Sequence, residues 1–497
     1  MRQVIEPQLK LGEQDIAAIE FNPKSRDDIP QILRGLQHIY VTPEIREPVF
    51  AILAEMLPEG VHGKADANTG RPGMSQWTIL VLGALRLGLN IDFDRLHELA
   101  NEHKTLRQLL GHTGWAEDKR DRYELETIQD NLRLFTPEIL DRINRVVVAA
   151  GHRLVKKSPD AALEIRTDSF VVETDVHYPT DINLLWDAMR KLIEICAGLC
   201  ADFGLTDWRQ SAYRLRKLKK LFRQVQRLKH SSSKDEEKRA AKQEAIRQAY
   251  RDYLEAADAL LARARETLGI LQFAQVPAAL LAPVEQYLGD AERQIDQIRR
   301  RVLLGETIPH EEKVFSLFER HTEWISKGKA GVPVELGLRV AVVEDQYGFI
   351  LHHRVMQKTT DDQVAVPLTT ETLTRFPTVA SASFDKGFHS PSNQKELAEL
   401  IPRVVMPKKG KLSLVQRARE QDPEFVARRH RHSAVESAIN ALEVHGLDRC
   451  PDHGIDGFER YVALAVVARN IQQLGALLRR QEAQTRERQR SLYRRAA

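Results

Sequence analysis

The feature that most constrains this 497-residue sequence is a long helical segment that interrupts a series of strand-like segments. Residues 182–305 combine Ala, Leu, Glu and Arg with helical apolar spacing, and we expect an antiparallel helical hairpin there. A strand-like segment at 164–175 precedes this region, and further strand-like segments follow it. Strands alternating with helices on both sides predict an α/β core into which a helical region is inserted.

The segments that follow the insertion repeat this alternation. Strands are predicted where β-branched and aromatic residues cluster, at 333–342, 349–356, 379–385 and 403–407. The first two of these strands are joined by a short turn, which indicates a hairpin. Helices are predicted at Thr370–Arg375, 392–400, 424–442 and 457–478.

Four regions follow from this pattern. The N-terminal region contains short helices joined by short turns, with Ser75 placed to cap one of them. Such an arrangement is compatible with a helix-turn-helix, although ordinary helical domains also show it. We therefore predict a helical N-terminal domain at 1–155, an α/β core at 156–181 and 306–475, the insertion at 182–305, and a basic tail at 476–497.

Three acidic residues lie in distinct settings. Asp168 falls inside a predicted strand, where Asp is disfavoured, so its presence there needs a reason. Asp385 ends another strand, and Glu436 lies on a later helix. Carboxylate oxygens suit Mg²⁺, and two such ions can activate the attacking oxygen and stabilise the leaving oxygen in phosphoryl transfer.

At these residues the chain resembles the DDE transposases of bacterial insertion sequences, in the ISNCY group. The resemblance rests on stretches beginning at Gly70, Thr167, Phe384 and His432, and it spans about residues 70 to 475. It implies an RNase H-like core that cleaves DNA and transfers strands, with Asp168, Asp385 and Glu436 holding two Mg²⁺ ions, for which Mn²⁺ can substitute. It also implies that residues 1–155 bind the DNA ends and that 156–181 and 306–475 form the catalytic core. The implied partners are the inverted repeats at the element ends, target DNA and further copies of the chain in a homodimer or larger homo-oligomer.

Two points qualify the resemblance. Asp175 and Asp181 belong to the same matching stretch as Asp168 and are alternatives for the first metal ligand, although Asp168 is preferred because it lies within the strand. Many relatives carry an Arg four residues before the catalytic Glu and a Lys seven residues after it. This chain has His432 and Glu443 at those positions.

Clustered basic residues are candidates for contact with DNA phosphates. From Arg209 to Lys229 there are nine Lys or Arg residues and no Asp or Glu, and from Arg479 to Arg495 there are seven Arg residues with two Glu. A solvated helix face or a tail would explain either cluster equally well. The residues we select as DNA contacts are Arg216, Lys220, Arg227, Lys386, Lys408, Lys409, Arg429 and Arg431.

Composition limits the remaining possibilities. With 74 Lys and Arg against 70 Asp and Glu, the formal net charge of +4 says little about nucleic acid. Three cysteines, an N-terminus without a secretion signal, and no apolar run as long as a membrane span predict a cytoplasmic protein. The resemblance to bacterial transposases further implies a bacterial protein associated with the nucleoid. The alternatives to a transposase are a non-catalytic DNA-binding protein derived from one, and a structure-specific nuclease on the same fold.

Overall fold

The chain forms two compact units. The computed structural model describes residues 3–5, 14–22, 24–56, 73–112, 122–228, 235–326 and 333–496, with only the backbone for 492–496. The first unit combines Met1–Asp175 with Glu323–Ala497, and the second is Val176–Thr322. The second unit therefore starts before and ends after the insertion predicted at 182–305.

Seven helices form the N-terminal part of the first unit. They are α1 Ile29–Val41, α2 Pro43–Ala54, α3 Gln76–Gly88, α4 Phe93–Glu102, α5 Lys104–Leu109, α6 Leu125–Leu132 and α7 Pro137–Leu154. Every residue of α3 is buried, in keeping with its almost wholly apolar sequence. Ser75 caps α3, because its side chain accepts a hydrogen bond from the backbone N–H of Thr78, and this confirms the predicted cap.

In its described residues the second unit contains four α-helices around its own hydrophobic core, in a region where a helical hairpin and a following helix at Ala282–Leu303 were predicted. The four helices are α8 Asp181–Asp202, α9 Ser211–Arg227, α10 Glu236–Phe273 and α11 Ala278–Ile298. Phe222 of α9 stacks on Trp186 of α8 with ring centroids 5.6 Å apart, and lies 6.2 Å from the ring of Tyr253 on α10. The apolar stripe of α9 thus packs against two helices at once.

A seven-stranded mixed sheet lies in the first unit. Its strands are β1 Leu163–Thr174, β2 Glu323–Ser326, β3 Val334–Asp345, β4 Ile350–Met356, β5 Val379–Phe384, β6 Arg403–Val405 and β7 Arg449–Cys450. Strand β1 pairs antiparallel with β3, and β3 pairs antiparallel with both β4 and β2. On its other edge β1 pairs in parallel with β5 and, at its far end, with β7, while β5 pairs in parallel with β6.

Six helices complete the first unit. They are α12 Asp361–Arg375, α13 Pro391–Leu400, α14 Leu414–Glu420, α15 Pro423–His432, α16 Ala434–Leu442 and α17 Gly454–Ala496. Residues of β1 alternate between the faces of the sheet. Phe170 and Val172 join the core formed with α16, α17 and the N-terminal helices, whereas Leu163 and Ile165 join the core formed with α12. The predicted α/β class is confirmed.

Two predicted domain boundaries differ from the structure. Residues 1–155 do not form a separate domain, because α1, α3 and α7 pack on α17 and share one core with the sheet. The predicted tail at 476–497 begins inside α17, which continues as a helix from Gly454 to Ala496. Of the described helices, only the Gly454–Ser491 part of α17 is long and apolar enough to span a membrane, and 72% of its apolar window is buried inside the protein.

Candidate active site

Two of the three predicted carboxylates lie side by side because of strand register. Strands β1 and β5 run parallel, with Thr167 opposite Phe384. Asp168 and Asp385 are the next residue on each strand, so both follow the last paired position at the same end of the ladder. Between the ends of β5 and β7, no described strand pairs with the edge of β1 at residues 168–172. The two aspartates therefore lie where the sheet opens.

Glu436 reaches the same region from a helix. The buried side chains of Val435, Ile439 and Leu442 on α16 belong to the same hydrophobic core as Phe170 of β1. Glu436 follows Val435 and is exposed, so the packing of α16 places the carboxylate at the edge of the contact with the sheet. Helix α16 is separated from α15 at Ser433, whose hydroxyl donates a hydrogen bond to the carbonyl of His430 at 2.7 Å.

Three other carboxylates lie near enough to Asp168 for their charges to affect its pKa. Burial, and to a smaller extent the charges of Asp385, Asp361 and Glu436, raise the pKa of Asp168 to about 6, although the hydrogen bond from the Ser169 backbone N–H acts in the opposite direction. That N–H donates to the Asp168 carboxylate at 2.8 Å. Within the described residues, Lys, Arg and His form no ion pair with any of these four carboxylates. Within the described residues, the site therefore concentrates carboxylates that have no ion-pair partner.

The donor chemistry of this site fits a hard divalent cation, because carboxylate oxygens are the ligands that Mg²⁺ prefers. Across the part of the chain that the structure describes, however, no group of three or more His, Cys, Asp or Glu side chains forms a ready metal-binding cluster. The carboxylates are near enough to interact through their charges but are not gathered around one point. Binding a cation would require the exposed side chains of Asp385 and Glu436 to reorient.

Asp175 and Asp181, the alternatives to Asp168 as first metal ligand, form ion pairs with arginines. Asp175, at the far end of β1, forms an ion pair with Arg449 at 2.6 Å. Asp181 starts α8 in the second unit and pairs with Arg301 at 2.5 Å. Each of these carboxylates has a cationic partner, whereas Asp168 has three acidic neighbours. The structure thus favours Asp168 over both.

Asp361 is a further carboxylate near the site that was not predicted from the sequence. It is the first residue of α12, and it accepts a hydrogen bond from the hydroxyl of Ser169 at 2.6 Å. Only the end of this helix, Thr370–Arg375, was predicted, and Pro367 lies in the part that was missed. The start could have been recognised from Thr360 and Gln363, which have capping-box spacing: the backbone N–H of Thr360 donates to Gln363 Oε1 at 3.0 Å.

His432, one of the two positions at which the sequence departs from the transposases it resembles, lies against the strand that leads to Asp385. Its Nδ1 is 3.0 Å from the hydroxyl of Ser383 on β5. Burial lowers the pKa of His432, although the charges of Asp385 and Glu436 act in the opposite direction. A neutral imidazole here does not replace the permanent charge of an Arg. Glu443, at the second departing position, directly follows α16.

A cavity of about 340 Å³ lies on the α15–α16 side of the sheet, and its lining residues include neighbours of the predicted carboxylates in the sequence but not the carboxylates themselves. Its walls include Arg166 of β1, Ser381 and Ser383 of β5, and Arg428 and Ser437 of the covering helices. Arg428 donates to Ser381 Oγ at 2.9 Å and pairs with Glu164 at 3.0 Å. The cavity is therefore polar and carries cationic groups.

The predicted DNA-contacting residues of the first unit differ in their surroundings. Lys386, Lys409 and Arg429 are exposed. Arg431 is exposed but pairs with Glu164 at 3.1 Å. Lys408 is half-buried and its ammonium donates to Gln416 Oε1 at 2.9 Å, so part of its hydrogen-bonding capacity is already used.

The remaining predicted contacts lie on α9 in the second unit. Arg216, Lys220 and Arg227 are exposed on the face opposite the buried Leu218 and Phe222. Among the described residues, none of these three cations forms an ion pair. Lys229, the last basic residue of the cluster, lies outside the described residues.

Comparison with known proteins adds no assignment. No protein-family model, curated protein or solved structure matches the chain significantly.

Proposed function

We propose that this chain is a DDE-type transposase of a bacterial insertion sequence, which binds the ends of its element and catalyses metal-dependent DNA cleavage and strand transfer. The observation that carries the proposal is the placement of Asp168, Asp385 and Glu436 at one opening of the sheet, with no ion pair to a described side chain. Of the three, Asp168 is partly buried among acidic neighbours, and structural carboxylates are normally paired when they are withdrawn from water. An uncompensated group is better explained by a cationic ligand.

The strand arrangement supports an RNase H-like core for this proposal. Strand β1 lies between the antiparallel β3 and the parallel β5, and β4 and β6 extend the sheet on the two sides. Helix α12 covers one face and α16 the other. A mixed sheet of this order, interrupted after its first strand by the second unit, is compatible with such a core.

In the proposed reaction, Asp168, Asp385 and Glu436 would hold the divalent ions. These ions supply charge stabilisation for in-line displacement at phosphorus, first by water and then by the freed 3′ hydroxyl. The side chains of this protein position the substrate. Lys386, beside Asp385, and Arg429 on α15 are exposed and available to phosphates. Such contacts orient DNA without reading its sequence.

The test uses the full chain and a DNA substrate bearing the inverted repeats that flank its gene. Wild-type protein with Mg²⁺ should release 3′ hydroxyl ends and join them to target DNA. Asp168→Asn, Asp385→Asn and Glu436→Gln should each reduce both products by at least about 10³-fold while retaining binding in a gel shift, because each removes charge and preserves shape. Asp362→Asn, an exposed acid close in sequence to the site, is the matched control and should remain active.

The outcomes separate the alternatives. Cleavage without joining would indicate a nuclease. Binding of the repeats without any metal-dependent cleavage would indicate a non-catalytic DNA-binding protein. Near-normal strand transfer by any one of the three variants would remove that residue from the catalytic set.

A further inference from the structure

Asp361 is connected to both aspartate-bearing segments of the site. On one side it accepts a hydrogen bond from the hydroxyl of Ser169, the residue that follows Asp168 on β1. On the other side its Oδ2 lies 3.0 Å from the position that a Cβ on Gly387 would occupy. Gly387 lies in the turn after β5, and its N–H donates to Asp385 at 3.5 Å. The Asp361 carboxylate thus lies against Ser169, which follows Asp168, and against Gly387, which lies two residues after Asp385.

The start of α12, where Asp361 lies, is itself fixed to the same turn. The side-chain amide of Asn393, which is buried, donates to the carbonyl of Asp362 at 2.6 Å and to the carbonyl of Phe388 at 2.9 Å. The ring of Phe388 is buried among the side chains of α12 and β5. Asn393 holds the start of α12 to the turn after Asp385, and Asp361 itself is bonded to Ser169. A displacement of the Asp361 side chain should therefore shift both Ser169 and this turn.

Asp361 does not share a face with Asp168. Successive residues of a strand point to opposite faces, so Ser169 is directed towards the α12 side and Asp168 towards the α16 side. Asp361 therefore contacts Ser169 rather than Asp168. Its charge nevertheless opposes ionisation of Asp168. No described cation forms an ion pair with Asp361, so a fourth uncompensated charge is retained at the site.

We propose that Asp361 is a positioning residue of the carboxylate site: through Ser169 and the Gly387 turn it fixes the separation of Asp168 and Asp385, and its charge strengthens cation binding. This inference rests on the proposed function. A hydrogen-bonded partner behind the direct ligands of a metal typically affects metal affinity by about 10- to 100-fold. The fold offers a reason for Gly at position 387, because any side chain there would push against the Asp361 carboxylate.

The experiment measures Mn²⁺ binding to the full-length protein by electron paramagnetic resonance, and the Mg²⁺ dependence of DNA cleavage. Asp361→Asn keeps an acceptor for Ser169 but removes the charge, whereas Ser169→Ala keeps the charge but removes the hydrogen bond. Asp362→Asn is the control, since it removes one charge from the same helix turn. Asp361→Asn should weaken Mn²⁺ binding and raise the Mg²⁺ midpoint by about 10-fold, with a smaller change in maximal rate.

Ser169→Ala should shift both measurements in the same direction by a few-fold, and Asp362→Asn should shift neither. Wild-type Mn²⁺ binding and Mg²⁺ midpoint in Asp361→Asn would overturn the inference. Equal shifts of both in Asp362→Asn would also overturn it, because any negative charge at the start of α12 would then have the same effect. If Asp361→Asn does not fold, Ser169→Ala decides: unchanged Mn²⁺ binding overturns the inference. Failure of the proposed function looks different, because then wild-type protein neither binds Mn²⁺ at this site nor cleaves DNA.

Discussion

Two aspartates on adjacent strands of one sheet have opposite surroundings. Asp345, at the end of β3, is fully buried, but His152 Nε2 lies 2.6 Å from its carboxylate, and the backbone N–H groups of Tyr347 and Phe349 donate to it at 2.8 and 3.0 Å. Asp168, on β1, is partly buried with acidic neighbours and one backbone donor. A carboxylate whose hydrogen bonds are satisfied stabilises the fold, whereas one surrounded by like charge indicates a site for a cation.

The largest effect that tests this comparison is on stability. Asp345→Ala leaves His152 and two backbone donors without their acceptor, and should lower the free energy of unfolding by about 3 kcal/mol. Asp168→Ala, on the neighbouring strand, should cost less than about 1 kcal/mol because it also removes repulsion with other carboxylates. Urea unfolding of both variants in the absence of divalent ions gives the two values. Equal losses would contradict the distinction between the two aspartates.

The same distinction applies to cations in the second unit. On α9, Arg216, Lys220 and Arg227 are exposed without ion pairs among the described residues. On α10, three exposed Arg side chains each have an acidic partner: Arg239 with Glu236 at 3.5 Å, Arg251 with Glu244 at 2.7 Å and Arg265 with Glu292 at 2.6 Å. If unpaired charge indicates a binding surface, only the first set should contact DNA phosphates.

Replacing Arg216, Lys220 and Arg227 together with Gln should weaken DNA binding regardless of sequence. Each lost phosphate contact reduces the slope of log affinity against log salt by about 0.9, so the slope should fall by up to about 2 to 3. The matched control replaces Arg239, Arg251 and Arg265 with Gln and should leave the slope unchanged. An unchanged slope in the α9 variant, with the protein folded, would identify this face as merely solvated. Fluorescence anisotropy across a salt series measures both variants.

Elements marked by a pattern within a few consecutive residues could be predicted from the sequence, whereas contacts between distant parts of the chain could not. Strands β1 and β5 were predicted because β-branched runs mark them within a few residues, and they lead to Asp168 and Asp385. The helix that carries Glu436 was predicted as one segment at 424–442, whereas the structure divides it into α15 and α16 at Ser433. Strands β2 and β7 have only four and two residues, too short for a pattern. The packing of α17 on α1, α3 and α7 joins the two ends of the chain, and no local pattern reports such a contact.

Asp361 shows the same limit at the site itself. Its importance comes from a hydrogen bond to Ser169, which is 192 positions away in the sequence. Pro367, which has low helix propensity, lies within α12 before the part that was predicted, so the element that holds Asp361 was predicted too short. In the structure the helix nevertheless forms, because Val364, Ala365 and Leu368 are buried against the sheet. Tertiary packing thus determines where this carboxylate lies.

The smallest expected effect is the dependence of stability on pH. Burial and acidic neighbours raise the pKa of Asp168 in the folded protein from its ordinary 3.8 to about 6. Between these values the folded state binds more protons than the unfolded state, so the contribution of Asp168 to stability falls as pH rises and is constant above both. In Asp168→Asn the side chain cannot ionise, so folding stability no longer falls for this reason as the pH rises. Without divalent ions, the variant should therefore gain about 1–2 kcal/mol relative to wild type between pH 4 and pH 7, after allowance for partial exposure. Urea unfolding at several pH values measures the difference, and one that does not change with pH would show that Asp168 ionises as freely as an aspartate in water.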